Sequence, residues 1–256
     1  TTFTKKSGED IKKQLENELE NEELMPKFIG TVHKLAYDVL KEHGLKKIIL
    51  DDIDSQVLLS NCINQFIESD YDIIRNIKKI IQHSSIEYPF NIDNYINKYK
   101  MNSYKKIIND IYKKYSFEKN KQNFIDFNDL MILFCDFLNT KKGKKYLKTV
   151  KYIFFDEYQD VNQIQNYILF KFNDYSNIMV VGDDDQAIYS FRGSNIKYIY
   201  EFEKKFGSCK IYKLNINYRS NQKIINFYSD IIKNNKNNFD KKIKSNKEKS
   251  GTRPII

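Results

Sequence analysis

Apolar residues at helical spacing dominate the first part of the chain. One stretch predicts a helix with a single buried face, and Gly44 ends it. Its apolar positions are Val32, Leu35, Ala36, Val39 and Leu40. Upstream, Ile11, Leu15 and Leu19 indicate a helix that follows the end of a strand, and Ser7 with Asp10 resembles a capping box.

The middle of the chain has a different pattern. From about Leu45 to Asn123, Lys, Asn, Ile and Tyr recur at helical spacing, glycine is scarce, and no strand alternation persists. This pattern predicts an all-helical insertion. A further amphipathic helix, capped by Asp126, is predicted over "DFNDLMILFCDFL".

Three short apolar runs then predict strands at 152–155, 178–181 and 209–215. Each is followed by a polar turn and a helical pattern, with Asp160 and Ser220 as the caps expected for two of the helices. Strands that alternate with helices are typical of a parallel sheet in an α/β fold. Such sheets bind ligands beyond the carboxyl ends of their strands.

Composition sets limits on the class of protein. With 256 residues, 41% of them hydrophobic, the chain can fill a core. No apolar run approaches the ~20 residues of a membrane span, so no membrane partner is expected. The three cysteines are far apart, which favours a reducing, intracellular compartment. The net charge of +9 favours an anionic partner. A genome rich in A/T codons, which encode Lys and Asn, accounts for the charge equally well.

Acidic residues follow the first of the three strands. Asp156 and Glu157 come directly after "YIFF", where one carboxylate can hold Mg²⁺ and a second can polarise an attacking water. The alternative is that these acids only stabilise the N-terminus of the following helix through the helix dipole, and Asp160 fits that role best.

The other two strands end in similar polar turns. "VVGDDDQAIYSFRGS" places Gln186 where an amide can bond a phosphate oxygen or a water. Tyr189, Phe191 and Arg192 then offer rings and a charge for nucleic acid, although core packing accounts for Tyr189 nearly as well. After the last strand, Tyr218 and Arg219 can reach a base and a phosphoryl group.

Together these stretches resemble superfamily 1 DNA helicases of the UvrD/Rep type. "FFDEYQD" resembles motif II of that family, "VVGDDDQAIYSFRG" motif III and "LNINYRS" motif IV. Upstream, "TFTKKSGEDIKKQL" resembles motif Ia, "GTVHKLAYDVL" motif Ib, and "DFNDLM" the acidic segment before motif II. The order and approximate spacing are those of the family over essentially the whole chain.

The resemblance implies a role for each candidate residue. Asp156 would hold Mg²⁺, Glu157 would activate the hydrolytic water, and Gln186 would sense the γ-phosphate of ATP. Tyr218 would stack on the nucleotide base, and Arg219 would be an arginine finger. The residues implied to line a single-stranded DNA track are Phe3, His33, Tyr189, Phe191 and Arg192.

The resemblance also implies a domain plan. The first recA-like domain would comprise residues 1–45 and 124–212, interrupted by a helical accessory insertion at 46–123 that meets duplex DNA at single/double-strand junctions. A second recA-like domain would begin at 213–256. The implied function is 3′-to-5′ DNA unwinding in repair or replication, in a compartment that contains DNA.

Several positions depart from the family pattern. Val32 replaces a usual Phe, Ser190-Phe191 replaces Arg-Trp, and Lys5 replaces Asn. No G-x-x-x-x-G-K-[ST] phosphate loop occurs in the 256 residues. The chain is therefore expected to be an inactive fragment by itself. Two alternatives stay open: a non-catalytic DNA-binding relic, and a metal nuclease built on Asp156, Glu157 and Asp183 to Asp185.

Overall fold

The computed structural model describes residues 1–2, 4–68, 70–235, 239 and 241–247, without the side chains of Glu22 and Arg192. The helices are α1 Lys5–Glu18, α2 Val32–Glu42, α3 Asp52–Asn64, α4 Tyr71–Ser84, α5 Ile92–Lys98, α6 Lys105–Lys121, α7 Phe127–Asn139, α8 Lys141–Leu147, α9 Gln163–Lys171, α10 Lys197–Tyr200, α11 Phe202–Phe206 and α12 Gln222–Ile232. The strands are β1 Ile48–Ile49, β2 Phe124–Ile125, β3 Tyr152–Phe155, β4 Asn177–Val180, β5 Ile216–Asn217 and β6 Lys244–Ser245.

The described strands form three separate two-stranded sheets, and each pair is parallel. The pair β3–β4 is the longest, with Tyr152 opposite Asn177 and Phe155 opposite Val180. The α/β pattern and the parallel pairing are therefore present. A continuous recA-like sheet is not seen in the described residues, and it stays a prediction.

The buried apolar residues form two clusters. One cluster joins α2, α7 and α9 to β3, with Ala36, Phe134, Tyr158 and Ile168 among its members. The buried residues of the other cluster all lie between 59 and 115, and all but Met101 belong to α3 to α6. The two ends of this middle segment meet at the β1–β2 pair, where the Ile48 N–H donates to the Asn123 carbonyl oxygen. The helical middle segment thus has a core of its own.

Local sequence signals placed several element ends correctly. Asp126 caps α7 in a full capping box with Asp129, and the strand at 152–155 is confirmed. The strand predicted at 178–181 lies one residue earlier. Helix α2 begins after Thr31 and ends before Gly44, which has a φ of +100° that favours glycine.

Three predicted caps were wrong. Helix α1 begins after Thr4, whose hydroxyl accepts the Ser7 N–H, so Ser7 lies inside the first turn. Helix α9 is capped by Asn162 instead of Asp160. Helix α12 is capped by Asn221 instead of Ser220, since Asn221 Oδ1 accepts the Ile224 N–H. In each case a nearby polar residue provides the side-chain oxygen that accepts an N–H group of the first helical turn.

The strand predicted at 209–215 was also wrong. Ile211, Tyr212 and Leu214 are exposed, and parallel pairing begins only where the Lys244 N–H donates to the Asn215 carbonyl oxygen. An apolar run forms a strand only when a neighbouring strand pairs with it, and no described strand reaches residues 209–214. The Lys/Asn-rich composition of residues 233–251 favours a loop, but the described part of this stretch contains strand β6 at Lys244–Ser245.

Helix α12 also buries a different face from the predicted one. The helical spacing of the sequence predicts one apolar face made of Ile224, Phe227, Tyr228 and Ile231. Three of these residues are exposed and Tyr228 is half-buried, whereas Ile225 is the buried residue. The apolar stripe of α12 therefore faces away from the rest of the described chain. Among the described residues, no helix combines the length and the apolar character that crossing a bilayer requires.

Candidate active site

The carboxyl ends of β3 and β4 place two polar loops side by side. The Val181 N–H donates to the Phe155 carbonyl oxygen at 2.8 Å, and the Tyr158 N–H donates to the Val181 carbonyl oxygen at 2.9 Å. Because the strands are parallel and end in register, the turn after β3 and the turn after β4 meet at one edge. Asp156 and Glu157 lie in the first turn, and Gln186 lies in the second.

Glu157 has an unusual backbone conformation. Its φ of 53° and ψ of 45° are left-handed, which costs a residue with a side chain about 1–3 kcal/mol. Asp156 and Glu157 are both half-buried. The surrounding turn maintains this strain, because the Tyr158 N–H donates to the Val181 carbonyl oxygen and the Asp160 N–H donates to the Glu157 carbonyl oxygen.

Gln159 joins the two loops, and sequence reasoning missed it. Its side chain is almost fully buried, with 1% exposed. The Nε2 group donates to Glu157 Oε2 at 2.7 Å, and Oε1 accepts the Asp183 N–H at 3.0 Å. Gly182 leaves room for this bridge, because a Cβ there would lie 2.7 Å from Gln159 Oε1. The glycine after β4 was the sequence signal for a close approach.

The three consecutive acids after β4 are also held in place. Asp183 accepts the Gln186 Nε2–H at 2.7 Å and the Asp185 N–H at 3.2 Å. The Lys241 ammonium contacts the carboxylates of all three acids, with 2.8 Å to Asp185 Oδ2. Burial alone would raise the pKa of Asp183, but hydrogen bonds from Lys241 and Gln186 hold it below its usual value. Sequence reasoning missed Lys241 as well.

This arrangement argues against the metal nuclease. The carboxylates of Asp183, Asp184 and Asp185 lie within 4.8 Å of one another, close enough for a shared cation. Lys241 already supplies a positive charge to this group. Asp156 and Glu157 do not belong to the group in the described part of the chain. The five carboxylates therefore do not form the single metal cluster that the nuclease hypothesis required.

The aromatic residues after the second loop differ in exposure. Phe191 is 66% exposed, and its ring centroid lies 6.0 Å from that of the half-buried Tyr189. His83 of α4 hydrogen-bonds to the backbone of Phe191, and its Nδ1 lies 2.9 Å from the Tyr99 hydroxyl. Gly193 follows with a φ of +86°, and a Cβ there would overlap Ile86. The helical middle segment thus supports the turn that exposes Phe191.

The remaining candidates lie in other places. His33 of α2 is half-buried with its ring edge-on to Phe127, and burial lowers its pKa although Asp52 opposes the shift. Tyr218 and Arg219 are exposed after β5, and the Arg219 N–H donates to Asn217 Oδ1. Lys241 connects the two regions, since it precedes β6, the partner of β5. Phe3 lies outside the described residues, as does the side chain of Arg192.

Asp160 does not cap a helix but lies buried in the turn after β3. Its Oδ1 atom has no hydrogen-bond partner among the described residues. Burial, reinforced by the charge of Glu157, raises the pKa of Asp160 to about 6. The Asp160 carboxyl therefore stays protonated up to about pH 6, above the range in which an ordinary aspartate ionises.

The raised pKa of Asp160 predicts a pH dependence of stability. Between about pH 4 and pH 6 the folded chain holds a proton that the unfolded chain has lost, so the free energy of unfolding falls as pH rises. Asparagine cannot ionise, so Asp160→Asn avoids the cost of a buried charge at high pH. We expect this variant to have a free energy of unfolding about 1–2 kcal/mol higher than the wild type at pH 8. Urea unfolding between pH 4 and pH 8 measures this, with the exposed Asp174→Asn as control. An unchanged slope in Asp160→Asn would contradict the prediction.

Comparison with known proteins agrees with this geometry. Residues 1–207 match the model of the UvrD/REP helicase N-terminal domain. The chain belongs to the UvrD/Rep helicase family. It is 31% identical to the ATP-dependent DNA helicase Rep of Buchnera aphidicola subsp. Schizaphis graminum, over 96% of the chain and 39% of that protein.

Other UvrD/Rep relatives match to a similar extent. Identity is 30% to the ATP-dependent DNA helicase Rep of Escherichia coli K12, over 94% of the chain and 37% of that protein. It is 28% to the ATP-dependent DNA helicase PcrA of Leuconostoc citreum, over 94% of the chain and 33% of that protein. The chain thus spans less than two fifths of the length of these UvrD/Rep relatives, and Tyr218 and Arg219 lie beyond the segment that the family model matches.

Proposed function

We propose that this chain forms the central part of an ATP-dependent DNA helicase that moves on single-stranded DNA. The observation that carries the proposal is the bridge through Gln159, which ties Glu157 after β3 to Asp183 after β4. A helicase must couple ATP hydrolysis to movement on DNA. Here the loop with the paired acids is joined to the loop that leads to the exposed ring of Phe191.

The donor set fits Mg²⁺ and ATP. Carboxylate oxygens are the ligands that Mg²⁺ prefers in nucleotide sites, and Asp156 would hold the ion. Mg²⁺ bound there would neutralise charge on the phosphates. Glu157 would accept a proton from the attacking water, with its carboxylate oriented by Gln159. Gln186 would bond a phosphate oxygen, and Tyr218 and Arg219 would contact the base and the transferring phosphoryl group.

The proposal includes the recA-like fold and the domain plan. The outer face of β3–β4 exposes Tyr152, Phe154 and Met179, whereas parallel sheets are normally covered on both faces. A larger sheet with further helices would cover these residues. The separate core at 59–115 supports an inserted domain at 46–123. Residues 1–45 and 124–212 would then form the first recA-like domain, and 213–256 would begin the second.

The helicase proposal has a direct test. The protein that carries this chain, together with a phosphate-binding loop from sequence outside these 256 residues, should separate a partial duplex when ATP and Mg²⁺ are present. A 3′ single-stranded tail should support the reaction, and a 5′ tail should not. Strand separation without ATP, or DNA binding with no ATP hydrolysis, would contradict the proposal, and the latter result would favour the DNA-binding relic.

The single-strand contact is tested on the chain itself. Phe191→Ala removes an exposed ring that would stack on a base, so we expect the affinity for a single-stranded oligonucleotide to fall by about 1–3 kcal/mol, or roughly 5- to 150-fold. Fluorescence anisotropy with a labelled oligonucleotide measures the change. Phe117→Ala is the matched control, because Phe117 is exposed to a similar degree on α6. Equal affinities of the wild-type chain and Phe191→Ala would remove Phe191 from the DNA track.

The proposed DNA track also includes Phe3, His33, Tyr189 and Arg192, with single/double-strand junctions as the substrate. The compartment is proposed to be one that contains DNA. The pathway that the helicase serves, repair or replication, is proposed from the family alone.

A further inference from the structure

An unusually basic surface lies away from the candidate site. Residues 141–151 contain six lysines and no acidic residue. We call Lys141, Lys142, Lys144, Lys145, Lys148 and Lys151 the lysine surface. Four of these lysines belong to the seven-residue helix α8. Like charges this close in a helix repel one another, so the arrangement works against the stability of α8.

The apolar side of α8 holds this helix firmly against the core. Gly143 and Leu147 are buried, and a Cβ on Gly143 would overlap the carbonyl oxygen of Phe137 in α7. The Tyr146 ring packs against Phe137 and Phe172, with centroids 6.3 Å and 6.2 Å away. With this side fixed, all six lysines are exposed to solvent.

Ion pairs do not neutralise the lysine surface in the described residues. Within the part of the chain that the structure describes, no carboxylate lies within ion-pair distance of any of the six lysines. Helix α1 is also lysine-rich, but Lys5 and Lys12 there pair with Glu9 and Glu16. The lysine surface is therefore a concentrated positive field, which attracts polyanions.

The position of the lysine surface separates it from the candidate site. Lys151 directly precedes β3, whereas Asp156 and Glu157 directly follow it. Four strand residues span about 13 Å, so the two regions lie at opposite ends of β3. An anion bound by these lysines would not be the nucleotide of the candidate site.

We propose that the lysine surface binds the phosphate backbone of nucleic acid, as a second contact separate from Phe191. Lysine ammonium groups contact phosphates as point charges, so this contact does not depend on base sequence. A strand of nucleic acid carries one phosphate per nucleotide, so several of the six exposed lysines can each contact a phosphate at the same time. The contact extends the proposed DNA binding beyond the single-strand track, and it does not require ATP hydrolysis.

Salt dependence tests this proposal on the chain itself. The logarithm of the binding constant falls as the logarithm of the salt concentration rises, and each phosphate contact makes this negative slope steeper by about 0.7 to 0.9. We therefore expect a smaller magnitude of the slope, by about 3 for a long oligonucleotide, in the fourfold variant Lys141→Gln, Lys142→Gln, Lys144→Gln and Lys145→Gln. The corresponding fourfold Lys→Arg variant keeps the charges, and it should retain the wild-type slope.

A matched control removes the same charge elsewhere. Lys12, Lys13, Lys41 and Lys46 are exposed, and their fourfold change to Gln also lowers the net charge by four. This control should change the slope by less than about 1. Equal losses in both variants, or no loss in the first, would overturn the proposal, as would poly-glutamate competing as well as DNA of equal charge. The result is independent of Phe191→Ala, which tests the single-strand track by stacking.

Discussion

Replacing Glu157 by Gln should lower kcat for ATP hydrolysis at least about a hundredfold, with ATP binding retained. The protein to test is the one that carries this chain together with a phosphate-binding loop. A positioned general base contributes about 10²–10⁴ to the rate, and an amide cannot accept the proton from water. The change is nearly isosteric, so the left-handed turn at Glu157 and the contact with Gln159 have no steric reason to be lost.

Two measurements separate catalysis from binding in Glu157→Gln. Steady-state hydrolysis gives kcat, and titration with a fluorescent nucleotide gives the dissociation constant. The control is Glu42→Gln, an exposed residue at the end of α2. Turnover equal to that of the wild type would remove Glu157 from the catalytic role. A large loss of nucleotide affinity would show instead that the change damaged the site.

Sequence predicted the parts of the candidate site that depend on local pattern. The strand at 152–155 and the polar turns after β3 and β4 follow from apolar runs that end in acids and glycine. A position next to Arg192 and Gly193 in a turn favours an exposed Phe191, and the ring is 66% exposed. These features involve neighbours in sequence, for which residue type and spacing are sufficient information.

Contacts between distant residues could not be predicted in this way. Gln159 reaches Asp183, 24 positions away, and Lys241 reaches the same acid from 58 positions away. His83 belongs to the helical middle segment, yet it supports the turn of Phe191. Each of these polar residues looks ordinary in its own sequence context. Only the fold shows which loops meet.

The same limit explains the errors in the fold. Residues 209–215 have the apolar character of a strand, but strand formation depends on a partner that local pattern does not reveal. The caps of α9 and α12 were each misplaced because several Asp, Asn and Ser residues lie together, and the choice among them depends on nearby side chains. Tertiary context therefore decided each case.

Lys119 is the other position where a single change should have a large effect. Its side chain is 4% exposed, and Nζ lies 2.6 Å from Asp126 Oδ2 and 2.5 Å from Asp129 Oδ2. The Tyr115 hydroxyl donates to the same oxygen of Asp126 at 2.8 Å. Burial alone would lower the pKa of Lys119, but the two carboxylates raise it, so the buried ammonium stays charged.

Lys119→Met should lower the free energy of unfolding by about 3–5 kcal/mol. Methionine fills a similar volume, but it leaves two carboxylates in a low-dielectric site with no cation. Asp126 and Asp129 also form the capping box of α7, the helix that contacts both α2 and α9 in the core. Urea unfolding of the chain measures the loss, and Lys121→Met is the control because Lys121 lies two residues later on the same helix and is exposed.

A double variant shows whether charge or packing causes the loss. Asp129→Asn in the Lys119→Met background removes one of the two uncompensated charges, while Asp126 keeps its hydrogen bonds from Tyr115 and from the Asp129 backbone. We therefore expect the double variant to recover part of the lost stability. A loss below about 1 kcal/mol in Lys119→Met would mean that water reaches the cluster and that the buried ion pair contributes little. A large loss with no recovery would instead assign the effect to the packing of the lysine stem between α6 and α7.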